Sequence, residues 1–370
     1  MKTNENTIEK IVSAVPEYNL DDYTVVVFGA GSTSTCYQKC FELEGIRPVY
    51  YIDNSAAKQG TVFHGVSVVS VEELVSLQHT FSKPVLVLIC SLQISACKQI
   101  QLQMQKCGLT YTTVDAYVFK KNKPLIKEVY DLLEDDFSRD VYAGIIQSRV
   151  DAGTIPESII CDEQYFTLPQ FLSDSQTEVF VDLGAYVGDT IEQYINKRSG
   201  MFKKIYAFEP DSLNFSALNY RSLRLKKEWA FSDDKLTLIH AGVGAKTERK
   251  LFSTPICEGG VSFSANLGAS FATETNENAE EIMIYAIDDY FKDQQVGFIK
   301  ADIESYELNM LHGAESVIKR DKPLLAVSIY HSASDMFMVP LFIREICKDY
   351  KLKIRQHKYS LTETVLYAYI

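Results

Sequence analysis

Residues 179–190 read VFVDLGAYVGDT, an apolar run that meets Asp182 and gives way to Gly184, Ala185 and Gly188 before Asp189 and Thr190. A short apolar run closed by small residues predicts a buried strand turning sharply into a helix, because glycine permits backbone angles that other residues resist. The same grammar repeats downstream. KKIYAFEP (203–210), KLTLIHAGVG (235–244), VGFIKADIE (296–304) and PLLAVSIYH (323–331) read as further strands. Between them, helical spacing runs over 189–197 and 306–319, and a helix is entered at Asp211 with Leu213 and Leu218 on its inner side. Such alternation predicts a parallel, doubly wound sheet. After a last helix from Met338 to Tyr350, KLKIRQHK (351–358) and ETVLYAYI (363–370) pair as an antiparallel hairpin at the sheet edge, bringing the expected sheet to seven strands.

Towards the N-terminus the alternation occurs a second time. YTVVVFGAG (23–31), RPVYYID (47–53), HGVSVVS (64–70), KPVLVLIC (83–90) and TYTTVDAY (110–117) read as strands separated by helical patterns. The intervening KPLIKEVYDLLEDDFSRDVYAGIIQSRVDAG has helical spacing and acidic runs without a strand signal. The expected division is therefore a Rossmann-like domain over 1–118, a helical connector over 119–177 and a second doubly wound α/β domain over 178–370. A polar stretch from Thr254 to Glu280 lacks periodicity and reads as a surface insertion or lid.

Composition narrows the class. The 370 residues are 46% hydrophobic and 23% charged, the balance of a globular protein, and the formal net charge of −12 opposes binding to a nucleic-acid backbone. No run approaches the ~18 apolar residues that a membrane helix needs, and the polar start MKTNENTIEK carries no signal core, so a cytoplasmic location is expected. Eight cysteines without C-x-x-C pairs or metal-ligand spacing read as reduced core thiols. No metal site is assigned.

In open α/β sheets ligands bind beyond the carboxyl ends of the strands, and the chemically informative residues lie there. Gly184, Ala185 and Gly188 leave room for a ligand against the backbone. Glu209, with Pro210, closes the second strand, where an acid accepts hydrogen bonds from both ribose hydroxyls of an adenosine. The loop has no P-loop lysine, and Asp182 beside it repels a pyrophosphate while suiting an ammonium and a sulfonium. That combination selects S-adenosyl-L-methionine as cofactor. Asp302 and Glu304 end the fourth strand and His331 the fifth, so these three are candidates for removing a proton from an acceptor. Lys300 either holds one of the carboxylates or points into a packed layer; His240, His312 and His357 have no evident partners.

VFVDLGAYVGDT, IYAFEP, IKADIESYELNMLHGAESVI and KPLLAVSIYH together closely resemble the FkbM family of methyltransferases over about Gln164 to Tyr369. Lys300, Asp302, Glu304, Glu307, Leu311 and Gly313 fit the family's fourth-strand pattern, with Ser305 standing where glycine is usual. The resemblance implies a seven-stranded methyltransferase sheet and S-adenosyl-L-methionine-dependent methylation of a hydroxyl on a sugar, glycan or natural product. By position it implies Asp182, Gly184, Ala185, Gly188, Glu209, Pro210 and Gly242 as cofactor contacts, Asp302 facing the transferable methyl, and Gln164, Tyr165 and Phe166 closing over the cofactor. A small-molecule or glycan acceptor is the expected partner, and a homodimer is compatible with it.

VVVFGAGSTS (25–34) matches the first two places of a dinucleotide fingerprint with Gly29 and Gly31, and Asp53 ends the next strand where a ribose-binding acid sits. Ser34 occupies the third glycine place and is expected to crowd the helix against the strand. YYIDNSAAKQGTVFHGVSVVSVEEL looks like the small Rossmann-like domains attached to sugar-modifying and polysaccharide-biosynthesis enzymes. Nucleotide, nucleotide-sugar or partner binding and a purely architectural role stay open. The alternatives for the whole chain are a non-catalytic adenosylmethionine- or nucleotide-binding protein and an NAD-dependent sugar-modifying enzyme.

Overall fold

Val25 to Phe28 and Val85 to Ile89 are uninterrupted apolar runs, the composition a strand needs when both faces of a parallel sheet are covered. In the computed structural model, which describes residues 7–172, 178–253, 270–271 and 279–370, they form β1 (Thr24–Phe28) and β5 (Val85–Ile89). With β2 (Tyr50–Ile52), β3 (Val62–Phe63), β4 (Val66–Val69) and β6 (Thr110–Thr113) they make a six-stranded sheet in the order β3-β4-β2-β1-β5-β6. All pairs except β3 with β4 are parallel.

The chain divides into two compact units. The first holds Met1–Ile160 with Tyr330–Phe337 and Lys358–Glu363; the second holds Cys161–Ile329, Met338–His357 and Thr364–Ile370. These bounds differ from the sequence division at 118 and 177. The helices Val114–Lys121, Lys123–Leu132 and Asp136–Asp151 carry strongly apolar faces and pack with the first unit and its helix Thr7–Ser13 instead of standing apart as a connector. The first unit also owns a buried ion pair, Arg149 with Asp115, in which Tyr37 donates to the Asp115 carboxylate at 2.6 Å.

In the second unit the strands are β7 (Val179–Leu183), β8 (Lys204–Phe208), β9 (Leu236–Ile239), β10 (Gly242–Val243), β11 (Glu248–Ser253), β12 (Ser270–Phe271), β13 (Ala279–Tyr285), β14 (Phe298–Ala301), β15 (Leu324–Ser328), β16 (Lys351–Gln356) and β17 (Thr364–Tyr369). Seven form the main sheet in the order β16-β17-β15-β14-β7-β8-β9, parallel except for the β16–β17 hairpin, which enters antiparallel beside β15. A second sheet runs β10-β13-β11-β12. Strand order reverses at β7, whose neighbours are β14 and β8, and this is where such sheets open to a ligand. The core beneath is aromatic: Phe180 stacks on Tyr194 at 4.3 Å, and Phe298 meets Phe180 and Phe171.

Two local expectations are corrected. Leu213 is 71% exposed although Leu218 is buried at 1%, because five residues at ~100° each leave them on different sides of the helix. The helix expected over 306–319 is two helices, Glu307–His312 and Glu315–Asp321, broken at Gly313, where a side chain would meet the Gly244 carbonyl at 2.1 Å. Asp211 does cap its helix, accepting from the Asn214 N–H. The seven described cysteines are free thiols; Cys257 and most of the polar 254–280 stretch lie outside the described residues. Among the described residues no helix is long and apolar enough to cross a membrane.

Candidate active site

The loop after β7 is shaped by backbone geometry that only small residues tolerate. Gly184 has φ +72°, and a Cβ there would stand 1.9 Å from the Asp302 carbonyl; Gly188 has φ +83° and starts the helix Asp189–Lys197. The Gly184 and Ala185 N–H groups both donate to the Phe208 carbonyl at the end of β8. The loop is thus pinned to its neighbour on one side and pressed against the β14 end on the other.

Glu209 completes the pinning. Its Oε2 accepts the Tyr186 N–H at 2.8 Å and its Oε1 the Asp211 N–H at 2.9 Å. Burial raises its carboxyl to about 7, against the opposing pull of these two N–H donors. Pro210 follows, its carbonyl accepting from His240, whose ring stacks on Phe215. Gly242 lies in β10, paired with Ile284 of β13.

Asp182 has no exposed surface; it lies beneath the loop in an ion pair with Lys300 at 3.0 Å. The β7–β14 register puts Lys300 directly beside Asp182, so the two side chains share one face of the sheet. Burial raises Asp182 to about 6 even with the lysine present. Lys300 also donates to the Gly184 carbonyl at 2.7 Å, so this pair supports the glycine turn from below. The carboxylate that Lys300 holds is Asp182, and not Asp302 or Glu304, the two strand-end acids expected for it.

At the end of β14, Asp302 Oδ2 accepts the Tyr165 hydroxyl at 2.8 Å, and its N–H donates to the Leu183 carbonyl. Glu304 and Ser305 follow with φ +53° and +72°. The left-handed angle at Ser305 is the physical reason a glycine suits that place. Glu307, fully buried, accepts the Ile303 N–H at 2.9 Å and closes this turn. Tyr165 and Tyr186 also have positive φ, +68° and +49°. Four non-glycine residues in left-handed backbone on these loops mark a segment whose shape is imposed by its surroundings.

His331 is buried and sits in the Tyr330–Phe337 segment grouped with the first unit, its ring 4.1 Å from that of Tyr330. Arg149 donates to the Tyr330 carbonyl and to Leu361. The structure thus gathers Gly184, Gly188, Glu209, Asp302 and Tyr165 with Lys300 and Asp182 in the second unit. His357, expected to lack partners, has two: Nδ1 lies 2.9 Å from the Cys161 carbonyl and Nε2 2.9 Å from the Tyr367 hydroxyl. No spacing rule links positions ten apart across a hairpin loop, so only the fold reveals this pair.

In the first unit a side chain at Gly29 (φ +117°) would meet the Cys90 carbonyl at 2.7 Å, while Gly31 faces Lys58 Nζ. Asp53 accepts from the Ala30 N–H, the Ser55 N–H and Lys58, so its carboxylate serves the loop itself. Ser34 does not crowd the strand: it is buried and donates to the Gly29 carbonyl.

A parallel sheet reversing at β7, a glycine turn and an acid closing the adjacent strand define the class: a Rossmann-like domain of the methyltransferase type. Residues 182–360 match the model of the methyltransferase FkbM domain. The methyltransferase FkbM from Methylobacillus flagellatus KT shares the fold at a TM-score of 0.54 and 21% identity, covering 98% of this chain and 93% of that one. An rRNA methylase from Streptococcus thermophilus is a remoter likeness, with TM-score 0.33 and 13% identity over 56% of this chain and 95% of that one. No curated protein matches the chain.

Proposed function

We propose that this protein transfers a methyl group from S-adenosyl-L-methionine to a hydroxyl of a sugar, glycan or natural-product acceptor. The observation that carries the cofactor reading is the buried Glu209 beside the Gly184–Gly188 turn. A carboxylate offers about four lone-pair directions; the Tyr186 and Asp211 N–H groups hold two of them, and the Asn214 amide reaches Oε1 at a longer 3.5 Å. What is left suits a ribose hydroxyl, and a second hydroxyl can replace the long Asn214 contact. Gly184, with no room for a side chain, lets the backbone carry the ligand's weight, and the Asp182–Lys300 pair keeps that backbone in place. The bound cofactor supplies an electrophilic methyl on a sulfonium.

This chain's own residues then have two tasks. The loops must align the acceptor oxygen with the methyl in a site shielded from water, and a base must take the hydroxyl proton. Asp302, whose Oδ2 accepts the Tyr165 hydroxyl, is one candidate for this work; His331 and Glu304 are the others. The acceptor class rests on the family resemblance.

Thermal stability measured with S-adenosylhomocysteine and with NAD separates the readings: stabilisation by NAD alone would sink this one. With labelled cofactor and a panel of sugar nucleotides and glycan fragments, Asp302→Asn or His331→Ala should keep S-adenosylhomocysteine binding and lose turnover. Undiminished turnover in both would remove them as bases.

A further inference from the structure

Asp302 is held by a chain of side chains that reaches the C-terminal hairpin. Tyr165 is 6% exposed and donates its hydroxyl to Asp302 Oδ2 at 2.8 Å, while Lys300 Nζ stands 5.3 Å from its ring centroid. Its backbone is left-handed, φ +68°, an arrangement that costs a bulky residue ~1–2 kcal/mol and persists only when something holds it. The Tyr165 N–H donates to Tyr367 Oη at 2.8 Å, and Tyr367 has no exposed surface.

The direction of the remaining bonds follows from the acceptors. The Cys161 carbonyl can only accept, so His357 Nδ1 carries the proton and Nε2 receives the Tyr367 hydroxyl proton. Burial lowers His357 to about 4, which keeps the imidazole neutral and this tautomer in place. The sequence of donors is then Tyr165 N–H to Tyr367, Tyr367 to His357, His357 to Cys161. At the other end of Tyr165, its hydroxyl sets the carboxylate.

We propose that Tyr165 is the positioning residue for Asp302, fixing the orientation of its carboxylate towards the cationic end of the cofactor, and that Tyr367 and His357 hold Tyr165 in the conformation this requires. The inference rests on the reading of Asp302 as facing the transferable methyl. A tyrosine that merely covered the cofactor would need its ring and not its hydroxyl.

Two probes isolate the effect without an acceptor: S-adenosylhomocysteine, uncharged at sulfur, and sinefungin, which carries an ammonium where the methyl would be. The ratio of their affinities in the full-length protein reports an oriented carboxylate at that point. Asp302→Asn should lower the ratio about tenfold, and Tyr165→Phe about three- to tenfold, in line with the net worth of one hydrogen bond. S-adenosylhomocysteine affinity should stay within about twofold, since the ring remains. Tyr367→Phe, which removes the acceptor of the Tyr165 N–H, should lower the ratio in the same direction and decides the matter if Tyr165→Phe does not fold. A ratio lowered by Asp302→Asn but unchanged by Tyr165→Phe, or by Tyr367→Phe in its place, overturns the positioning role. A ratio that Asp302→Asn leaves unchanged overturns the reading of Asp302 beneath it. Failure of the wild type to bind either probe overturns the cofactor assignment.

Discussion

Binding of the adenosyl ligand should release a proton, and Glu209 should be its source. Burial raises this carboxyl from 4.5 to about 7 in the ligand-free protein, so at pH 5 only about one molecule in a hundred carries the anion. Ribose hydroxyls donate to the anion and favour it. The association constant for S-adenosylhomocysteine should therefore climb about tenfold per pH unit from pH 5 towards 7 and flatten above, a total of about 100-fold or ~2.7 kcal/mol. Calorimetry in two buffers of different ionisation enthalpy should show close to one proton released per ligand at pH 5.5. Glu209→Gln should bind weakly at pH 8 and lose most of the slope. Asp182, raised to about 6, is the other buried acid near the loop; its pairing with Lys300 persists in that variant, so any slope left over belongs to it. An affinity independent of pH between 5 and 8 in the wild type, or a slope unchanged in Glu209→Gln, would refute the reasoning. The same shift acts on folding: a carboxyl raised in the native state stabilises it fully below 4.5, and that contribution is lost as pH rises through about 7. Denaturant titrations of the ligand-free protein should show this decline in the wild type and a flatter profile in Glu209→Gln.

Gly184→Ala should destabilise the fold by about 2–4 kcal/mol and abolish ligand binding, since its Cβ would drive the Asp302 carbonyl away and the left-handed angle would be strained as well; calorimetric melting and ligand titration check both. Ser305→Gly should do the reverse. It relieves a positive φ and removes a buried hydroxyl with no hydrogen-bond partner among the described residues, which should raise Tm by about 1–2 °C for roughly 1 kcal/mol in a chain of this size.

The order of strands and helices, the hairpin at the sheet edge and the strand-end positions of Gly184, Gly188, Glu209 and Asp302 were legible in the sequence. Each depends on local rules: apolar runs set strands, glycines set turns, and a ligand site at the carboxyl ends follows from parallel strands. Tertiary structure alone decided the rest. Lys300 pairs with Asp182 because the β14–β7 register sets them side by side, and no spacing along the chain encodes a register. Leu213 points outward because helix phase, invisible to a list of apolar residues, separates it from Leu218. His357 and Tyr367 come to Tyr165 through the closing of a hairpin near the C-terminus. Sequence determined which residues stand at the strand ends, because that follows from periodicity over a few residues; only the fold decided which of them touch, because ion pairs and hydrogen bonds form across strands that are distant in the chain.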